Sequence, residues 1–270
     1  MTEIHHPDSQ MEEWLIERAE GAASSYKLYI YSPSEPAPSE GYPVLYVLDG
    51  NAFFQTVSDA VRMQSRRPEV TGVHASVVVG IGYPGEILFH RERRFYDYTP
   101  SADTAELPPM PSGSSWPENG GAERFLLFLR ETIQPFIREH CVINPEHQTI
   151  FGHSLGGLFA LYTLFNKPGT FQGYIATSPS IWWNQQAVLQ GESPFLNGLG
   201  DYDVSIRLFL SAGSLEKAHM ITDAKALSSR LKPYNTPGFQ TQYIEGHEEN
   251  HMSIVPTILS RALRFTQQTL

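Results

Sequence analysis

Short apolar runs of strand length alternate along the chain with longer segments in which apolar residues recur at helical spacing. The runs at residues 44–48 and 75–81 are almost continuously apolar, which is typical of strands buried on both faces of a parallel sheet. Residues 125–137 place Phe, Leu and Ile at helical spacing, which predicts a helix. Further strands are predicted at residues 14–16, 26–31, 148–151, 174–177, 207–211 and 241–244, and further helices after residue 154 and at residues 219–232 and 254–265.

This alternation predicts one α/β domain over residues 1–270, a length sufficient for one large hydrophobic core. Strand–helix–strand units connect by right-handed crossovers, so we expect a mostly parallel, doubly wound sheet with helices on both faces. The Pro-rich segment 97–121 is too long for an ordinary connection between elements. We expect it to be a loop over the functional site, and a disordered insertion is the alternative.

The formal net charge of −10 argues against a broad surface for nucleic acid or anionic membrane, because either partner would be repelled. The sequence shows no signal-peptide pattern and no apolar stretch of transmembrane length, so we expect a soluble, cytoplasmic protein. Its one cysteine, Cys141, cannot form an internal disulfide and is expected to be a packed thiol. The sequence indicates neither a cofactor nor an oligomeric state.

The most informative motif is Gly-His-Ser-Leu-Gly at residues 152–156, between a predicted strand and an apolar helix. A serine at the tip of such a turn has strained backbone geometry, and flanking glycines let the backbone pass closely. The turn exposes the hydroxyl and aims the first helical amides at the position where an acyl oxygen would gain charge. It therefore predicts Ser154 as a nucleophile, and a purely structural glycine turn is the alternative.

A serine nucleophile needs a positioned base, and the base needs an acceptor on its other nitrogen. On doubly wound sheets the three groups follow each other in the order serine, acid, histidine. We predict His251 as the base, because it lies between the last strand and the closing helix, and His247 is the alternative. Glu216 follows a predicted strand and is the predicted acid, although it could instead pair with Lys217. The reserve acids are Asp201, Asp203 and Asp223.

Two backbone amides are predicted to stabilise an oxyanion. Leu155 directly follows the candidate nucleophile, and Asn51 lies in the turn after the predicted strand 44–48. Gly50 keeps the backbone of that turn accessible. Asp49, in the same turn, is interpreted as a structural brace.

Residues 247–251 also match His-Glu-x-x-His, a zinc-binding signature. That chemistry requires the two histidines to lie one helical turn apart on the same helix face. Here Gly246 precedes the motif, Pro256 follows it shortly afterwards, and no residue inside it could seat a helix against a core. We therefore predict no metal site.

Five motifs occur in a characteristic order along the chain. They are Tyr-Val-Leu-Asp-Gly-Asn-Ala at residues 46–52, Arg-Phe-Tyr-Asp-Tyr-Thr-Pro at 94–100, Gly-Gly-Ala-Glu-Arg-Phe at 120–125, Gly-His-Ser-Leu-Gly-Gly at 152–157 and Ser-Pro-Ser-Ile-Trp-Trp at 178–183. Together they resemble the putative esterase family of α/β-hydrolases. Within it, the chain is most similar to ferric-siderophore esterases, which hydrolyse the trilactone of enterobactin- or bacillibactin-type siderophores.

The resemblance extends from about residue 12 to residue 267 and implies an α/β-hydrolase fold. It implies Ser154 as nucleophile, His251 as base, Glu216 as acid and Arg94 as a contact to an anionic catecholate. Some siderophore esterases work with a Ser–His pair and lack a clear acid, so a dyad without Glu216 is an alternative.

Aromatic and basic residues supply the candidate substrate contacts. Arg94 belongs to the densest basic cluster of an acidic protein, and guanidinium groups suit charged oxygens and aromatic faces. Surface ion pairs are the alternative role of this cluster. Trp182 and Trp183 follow a predicted strand at the edge of the sheet where ligands bind, and could stack on catechol rings or belong to the core.

The sequence thus predicts a serine esterase that acts on a small-molecule ester through an acyl-enzyme. The predicted substrate is the trilactone of a catecholate siderophore, with or without iron. One alternative is a general carboxylesterase, such as a feruloyl-type esterase or an S-formylglutathione hydrolase. A catalytically silent catechol-binding protein is the other.

Overall fold

The computed structural model describes residues 2–4, 10–17, 25–105, 107, 109–110, 113–202 and 204–268. Within these ranges, nine strands form one sheet in the order β1-β2-β3-β5-β4-β6-β7-β8-β9. They are β1 Thr2–Ile4, β2 Met11–Ile16, β3 Tyr26–Tyr31, β4 Tyr42–Leu48, β5 Val77–Gly82, β6 Ile143–His153, β7 Gly173–Thr177, β8 Ile206–Gly213 and β9 Phe239–Gly246.

The sheet is mostly parallel, which confirms the predicted fold class. Strands β5, β4, β6, β7, β8 and β9 run in the same direction. Strands β1, β2 and β3 pair with antiparallel neighbours and extend one side of the sheet. In the parallel part, the carboxyl ends of all strands meet at one edge, where loops can assemble a site.

Helices cover both faces of this sheet. They are α1 Gly50–Gln64, α2 Pro68–Thr71, α3 Arg91–Tyr98, α4 Ala122–Phe128, α5 Gln134–His140, α6 Leu155–Asn166, α7 Glu192–Asn197, α8 Ala218–Leu231 and α9 Ile254–Gln267. The buried residues of α1 and α9 pack with Phe151 on one face, whereas those of α4, α5, α6 and α8 pack with Ile150 on the other. Adjacent strand residues point to opposite faces, so apolar side chains at successive positions fill both layers.

Several element boundaries differ from the prediction, and β6, for example, begins at Ile143 instead of residue 148. The strand expected from residue 75 begins at Val77. The helix expected at 125–137 is divided by a π-helical turn, Leu129–Ile133, just before Pro135, whose ring nitrogen cannot continue the amide ladder. The segment expected to be a loop from residue 97 is still helical through Tyr98. Asp97 is buried there and accepts hydrogen bonds from two tyrosine hydroxyls.

No helix in the described part of the chain is both long and apolar enough to cross a membrane.

Candidate active site

Ser154 lies at the sharp turn between β6 and α6. Its backbone has φ 59° and ψ −116°, a conformation that costs a non-glycine residue about 1–3 kcal/mol. Three backbone hydrogen bonds hold it: its amide donates to Thr177, and its carbonyl accepts from Leu158 and Ser180, each at 3.0 Å. The neighbouring strand and helix thus impose the geometry that exposes the hydroxyl.

The glycines around Ser154 have different roles in this turn. A Cβ atom on Gly152 would lie 2.0 Å from the carbonyl oxygen of Gly156, and one on Gly157 would lie 3.0 Å from Cα of Pro179. A Cβ atom on Gly156 would meet only ordinary contacts, the nearest at 3.5 Å. The close approach expected from the motif therefore requires glycine at position 152 and leaves space at position 156.

His251 and Glu216 form a short, directed pair. Nδ1 of His251 lies 2.6 Å from Oε2 of Glu216, and Oε1 of Glu216 accepts from the amide of Gly213 at 2.7 Å and the hydroxyl of Ser178 at 2.5 Å. Burial raises the pKa of Glu216, but the hydrogen bonds from His251, Ser178 and Gly213 outweigh it and hold the pKa below its ordinary value. The carboxylate is therefore ionised and fixes the proton of the neutral imidazole on Nδ1, which leaves Nε2 as the basic nitrogen.

The hydroxyl of Ser154 faces Ser180 instead of His251. Its Oγ lies 3.4 Å from Oγ of Ser180, and in the described structure it makes no hydrogen bond to the imidazole. Ser154 and His251 nevertheless line the same cavity. The hydrogen bond expected between hydroxyl and base is therefore not formed in the described structure.

His153 connects the nucleophile turn to the loop that carries the base. Its Nε2 lies 2.6 Å from the backbone carbonyl oxygen of His251, and the two imidazole rings are 4.4 Å apart between centroids. Burial, followed by the neighbouring His251, lowers the pKa of His153 to about 3. Because a carbonyl oxygen only accepts, Nε2 carries the proton of this neutral ring. Sequence reasoning did not single out His153, although it stands inside the motif.

The two turns predicted to form an oxyanion hole lie side by side. Asn51 belongs to the first turn of α1 after β4, and Leu155 begins α6 after the adjacent strand β6. The first turn of α6 lies close to the end of β4, because a Cβ atom on Gly156 would be 3.5 Å from the side chain of Leu48. Amides in a first helical turn have no acceptor within their own helix. The role of Asn51 and Leu155 as oxyanion donors stays a prediction.

The structure does not bring Arg94 to the cavity. Its guanidinium forms two hydrogen bonds with the carboxylate of Asp49, at 2.9 and 2.8 Å, and the Asp49 side chain is only 1% exposed. Asp49 precedes α1 with φ 52°, so the ion pair braces the turn that carries Asn51. A contact between Arg94 and substrate stays a prediction, and in this structure a buried carboxylate already holds two of its five N–H donors.

A cavity of about 650 Å³ opens beside Ser154 at the carboxyl edge of the sheet. Trp182 lines it, whereas Trp183 is fully buried and donates from Nε1 to the carbonyl of Pro100, which places it in the core. Trp116 also lines the cavity and belongs to the Pro-rich segment. The other lining residues are Pro109, Ser154, Ser180, Leu215, Glu216, Lys217, His219, Met220, Asn250 and His251.

Several lining residues were not predicted. Lys217 and His219 bring potential positive charge to the wall, and Ser180 contacts the candidate nucleophile. All three lie just beyond a strand, β7 or β8, at its carboxyl end. The rule that pointed to Glu216 could therefore have found them. Trp116 gave no such signal, because it lies 18 residues after Tyr98, the last residue of α3, in an irregular segment.

The remaining candidates lie apart from the His251–Glu216 pair. Asp223 accepts a hydrogen bond from Gln186, Asp201 belongs to a short 3₁₀ turn, and Asp203 lies outside the described residues. His247 is exposed in the turn after β9. That turn is not helical, so its two histidines do not have the geometry of the zinc motif. Among the described residues, no group of three or more His, Cys, Asp or Glu could hold a metal ion.

Residues 20–253 match the family described as Putative esterase. The chain belongs to the putative esterase family. As the resemblance implied, the protein is an ester hydrolase. It is 44% identical to the ferri-bacillibactin esterase BesA of Bacillus subtilis over 244 residues, which are 89% of this chain and 84% of that protein. It is 40% identical to a siderophore enterobactin esterase of Emericella nidulans over 192 residues, 69% of this chain and 62% of that protein.

Solved structures agree with this family assignment. The BES protein from Bacillus cereus superposes with a TM-score of 0.92 at 44% identity, covering 98% of this chain and 99% of that one. The siderophore hydrolase EstA from Aspergillus nidulans has a TM-score of 0.81 at 29% identity, covering 96% and 94%. The α/β-hydrolase fold implied by the resemblance is thereby confirmed.

Proposed function

We propose that this esterase hydrolyses the lactone esters of a catecholate siderophore through a serine acyl-enzyme. Ser154 is the nucleophile, His251 the base and Glu216 the acid. The observation that carries the proposal is the short Glu216–His251 pair, placed on the same cavity as the strained Ser154. The names of the Bacillus subtilis and Emericella nidulans relatives support a siderophore as the substrate.

The buried carboxylate of Glu216 orients the base. Its side chain is 1% exposed, and it accepts from Gly213 and Ser178 as well as from His251. These bonds keep the imidazole in the tautomer that presents Nε2 to the cavity. They also stabilise the imidazolium that forms when the ring takes up a proton.

In the first step, Nε2 of His251 removes the proton of Ser154 as Oγ attacks the ester carbonyl. The carbonyl carbon gains a bond to Oγ and its π electrons move to the oxygen. The imidazolium then protonates the leaving alkoxide as the ester C–O bond breaks, which leaves an acyl group on Ser154. Water repeats the sequence and releases the carboxylic acid.

The oxyanion formed in both steps needs donors that are already in place. We assign the amides of Asn51 and Leu155, since each lies in the first turn of a helix at the carboxyl edge. The Asp49–Arg94 ion pair holds the turn before Asn51. Arg94 is therefore a positioning residue in this proposal and does not touch substrate.

The cavity wall suits an aromatic, anionic substrate. Trp116 and Trp182 supply flat apolar surface, and their ring centroids lie 6.3 Å apart. Lys217 lines the same cavity, and among the described residues no carboxylate lies within 4.0 Å of its ammonium group. Catecholates combine a ring with negatively charged oxygens, so Lys217 takes the role first predicted for Arg94.

The test compares rates on a ferric catecholate trilactone, the iron-free trilactone and a simple phenyl ester. Wild type is expected to prefer the trilactones. Ser154→Ala should lower kcat by about 10³-fold or more on every substrate, because the acyl-enzyme cannot form. Ser180→Ala is the matched control, since it removes the hydroxyl beside Ser154 and leaves the nucleophile in place.

Each substrate result decides between named alternatives. A preference for feruloyl esters or S-formylglutathione would replace the siderophore by another acyl group while keeping the mechanism. An organophosphonate should label Ser154 in wild type, as detected by mass spectrometry of the peptide. Absence of labelling together with absence of hydrolysis would indicate a silent binding protein and overturn the proposal.

A further inference from the structure

A second cavity, of about 310 Å³, lies at the opposite edge of the sheet from Ser154. The first residues of β4 and β8 and the last turn of α9 line it, together with residues 146–149 of β6. Because β4, β6 and β8 are parallel, this is the amino edge of the sheet. The cavity is therefore separate from the site described above.

Arg207 lines this cavity and has no counter-ion among the described residues. The residue is 5% exposed, and its one side-chain hydrogen bond runs from Nη1 to Oε1 of Gln240 at 3.0 Å. Within the described structure no carboxylate lies within 4.0 Å of its guanidinium. The guanidinium carbon also lies 5.9 Å from the ring centroid of Phe265. Burial lowers the pKa of Arg207.

Two other arginines, the largely buried Arg94 and the exposed Arg230, show what is missing at Arg207. Arg94 forms a two-pronged pair with Asp49, and Arg230 forms one with Glu192. A guanidinium has five N–H donors, and burying this charged group without acceptors for them costs free energy. The last turn of α9 favours a positive charge nearby. However, none of its carbonyl oxygens accepts a bond from Arg207 in the described structure.

Two neutral hydrogen-bond donors, the amide of Gln172 and the hydroxyl of Ser205, share the cavity wall with Arg207. Gln172 uses its Oε1 to accept from the amide of Gln148, and its NH₂ group has no partner among the described residues. Ser205 and His147 line the wall as well, and among the described residues neither side chain forms a hydrogen bond. Glu146, the acidic residue of the wall, is exposed and makes no ion pair with Arg207.

We propose that this cavity binds a small oxyanion, a carboxylate or a phosphate, with Arg207 as its charged anchor. The fork of a guanidinium matches the paired oxygens of both groups, and the neutral donors of the wall complete the contacts. The exposed carboxylate of Glu146 disfavours highly charged ligands. A volume of about 310 Å³ admits a ligand of the size of inorganic phosphate, acetate or benzoate.

In the experiment, the whole protein is titrated with phosphate, acetate or benzoate, and binding is measured by isothermal titration calorimetry. A titration with chloride at equal ionic strength is the reference. Wild type is expected to bind phosphate, or one of the two carboxylates, saturably. Arg207→Gln should weaken that binding at least tenfold, and Arg230→Gln is the matched control that should leave it unchanged. Phosphate binding alone identifies a phosphate site, and carboxylate binding alone identifies a carboxylate site.

Two outcomes overturn the proposal: no saturable binding by any of the three anions, or equal binding by wild type and Arg207→Gln. If Arg207→Gln does not fold, amide chemical-shift changes in wild type replace it. They should cluster at the start of β8 and the end of α9, and changes confined to other regions overturn the proposal. Hydrolysis of a phenyl ester by Arg207→Gln should equal that of wild type, so the test is independent of the proposed esterase mechanism.

Discussion

The ring of His153 donates a hydrogen bond from Nε2 to the carbonyl oxygen of His251 at 2.6 Å. The donor precedes the candidate nucleophile, and the acceptor belongs to the candidate base. One bond therefore couples the two loops whose relative position decides whether Ser154 and Nε2 of His251 can meet. Glu216 fixes the orientation of the imidazole, whereas His153 fixes the backbone that carries it.

We predict that His153→Leu lowers kcat by about tenfold to a hundredfold, because a shift of the base by about 1 Å is enough for such a loss. His153→Gln should retain more of the activity, since its terminal NH₂ can replace the Nε2 donor. Steady-state kinetics on a phenyl ester measures both variants. Equal losses in the two variants would contradict a role for the hydrogen bond and point to packing alone.

His153 also predicts how stability depends on pH. Its pKa in the folded protein is lowered to about 3, chiefly by burial, against an ordinary value of 6.5. Below pH 6.5 the unfolded chain binds a proton that the folded protein refuses, so stability is present above pH 6.5 and is lost as the pH falls toward 3. At pH 5 the loss amounts to about 2 kcal/mol.

Urea unfolding of wild type and His153→Gln at pH 7.5 and pH 5 measures this loss. Other titrating groups contribute to both proteins, so the informative quantity is the difference between their pH dependences. The variant should lose about 2 kcal/mol less than wild type on acidification. Equal losses would show that His153 is protonated in the folded protein.

Glu216→Gln should lower kcat by about 10²- to 10⁴-fold, because glutamine keeps the size of the side chain but removes the charge that stabilises the imidazolium. Asp223→Asn is the control, because Asp223 was one of the alternative candidates for the acid and its carboxylate instead accepts a hydrogen bond from Gln186. Kinetics at saturating substrate measures both. Full activity of Glu216→Gln would instead support a Ser–His pair that works without an acid.

The parallel sheet, the turn at Ser154 and the pairing of His251 with Glu216 could be predicted from sequence because each follows from a local rule. Continuous apolar runs indicate buried strands, and candidate groups that follow such strands meet at one edge. Contacts between side chains that are distant in the sequence could not be predicted in the same way. Nothing in the spacing of Arg94 and Asp49, 45 residues apart, indicates that they form a buried pair.

The neighbouring tryptophans show the same limit of sequence reasoning. Trp182 reaches the cavity, but the chain after Trp183 passes through three residues with positive φ, at Asn184, Gln185 and Gln186. Periodicity rules assume regular backbone and therefore assign no face to residues at such a kink. The Ser154 hydroxyl likewise lies beside Ser180 and makes no hydrogen bond to the predicted base in the described structure, a choice that no sequence pattern encodes.

The two tryptophans should respond differently to substitution by alanine. Trp182→Ala should raise KM for a catechol-bearing ester about threefold to tenfold, since stacking of two rings contributes about 0.5–1.5 kcal/mol. Trp183→Ala should lower the free energy of unfolding by about 3–5 kcal/mol, because it empties a fully buried site. Kinetics and urea unfolding of both variants separate the roles, and a change in KM for Trp183→Ala without loss of stability would contradict them.

Arg94 is predicted to act on stability. Removing it in Arg94→Met leaves the carboxylate of Asp49 buried and unpaired, which should lower the free energy of unfolding by about 3–5 kcal/mol. The double variant Asp49→Asn/Arg94→Met should recover part of that loss, because no isolated charge remains. Urea unfolding of wild type, the two single variants and the double variant measures the coupling between the two residues. Lys217→Met is the matched control at the cavity: it should raise KM for an anionic ester and leave unfolding unchanged, since its ammonium is exposed. If Arg94→Met instead unfolds like wild type and raises KM for the ferric trilactone, Arg94 contacts substrate after all, and the ion pair with Asp49 opens when substrate binds.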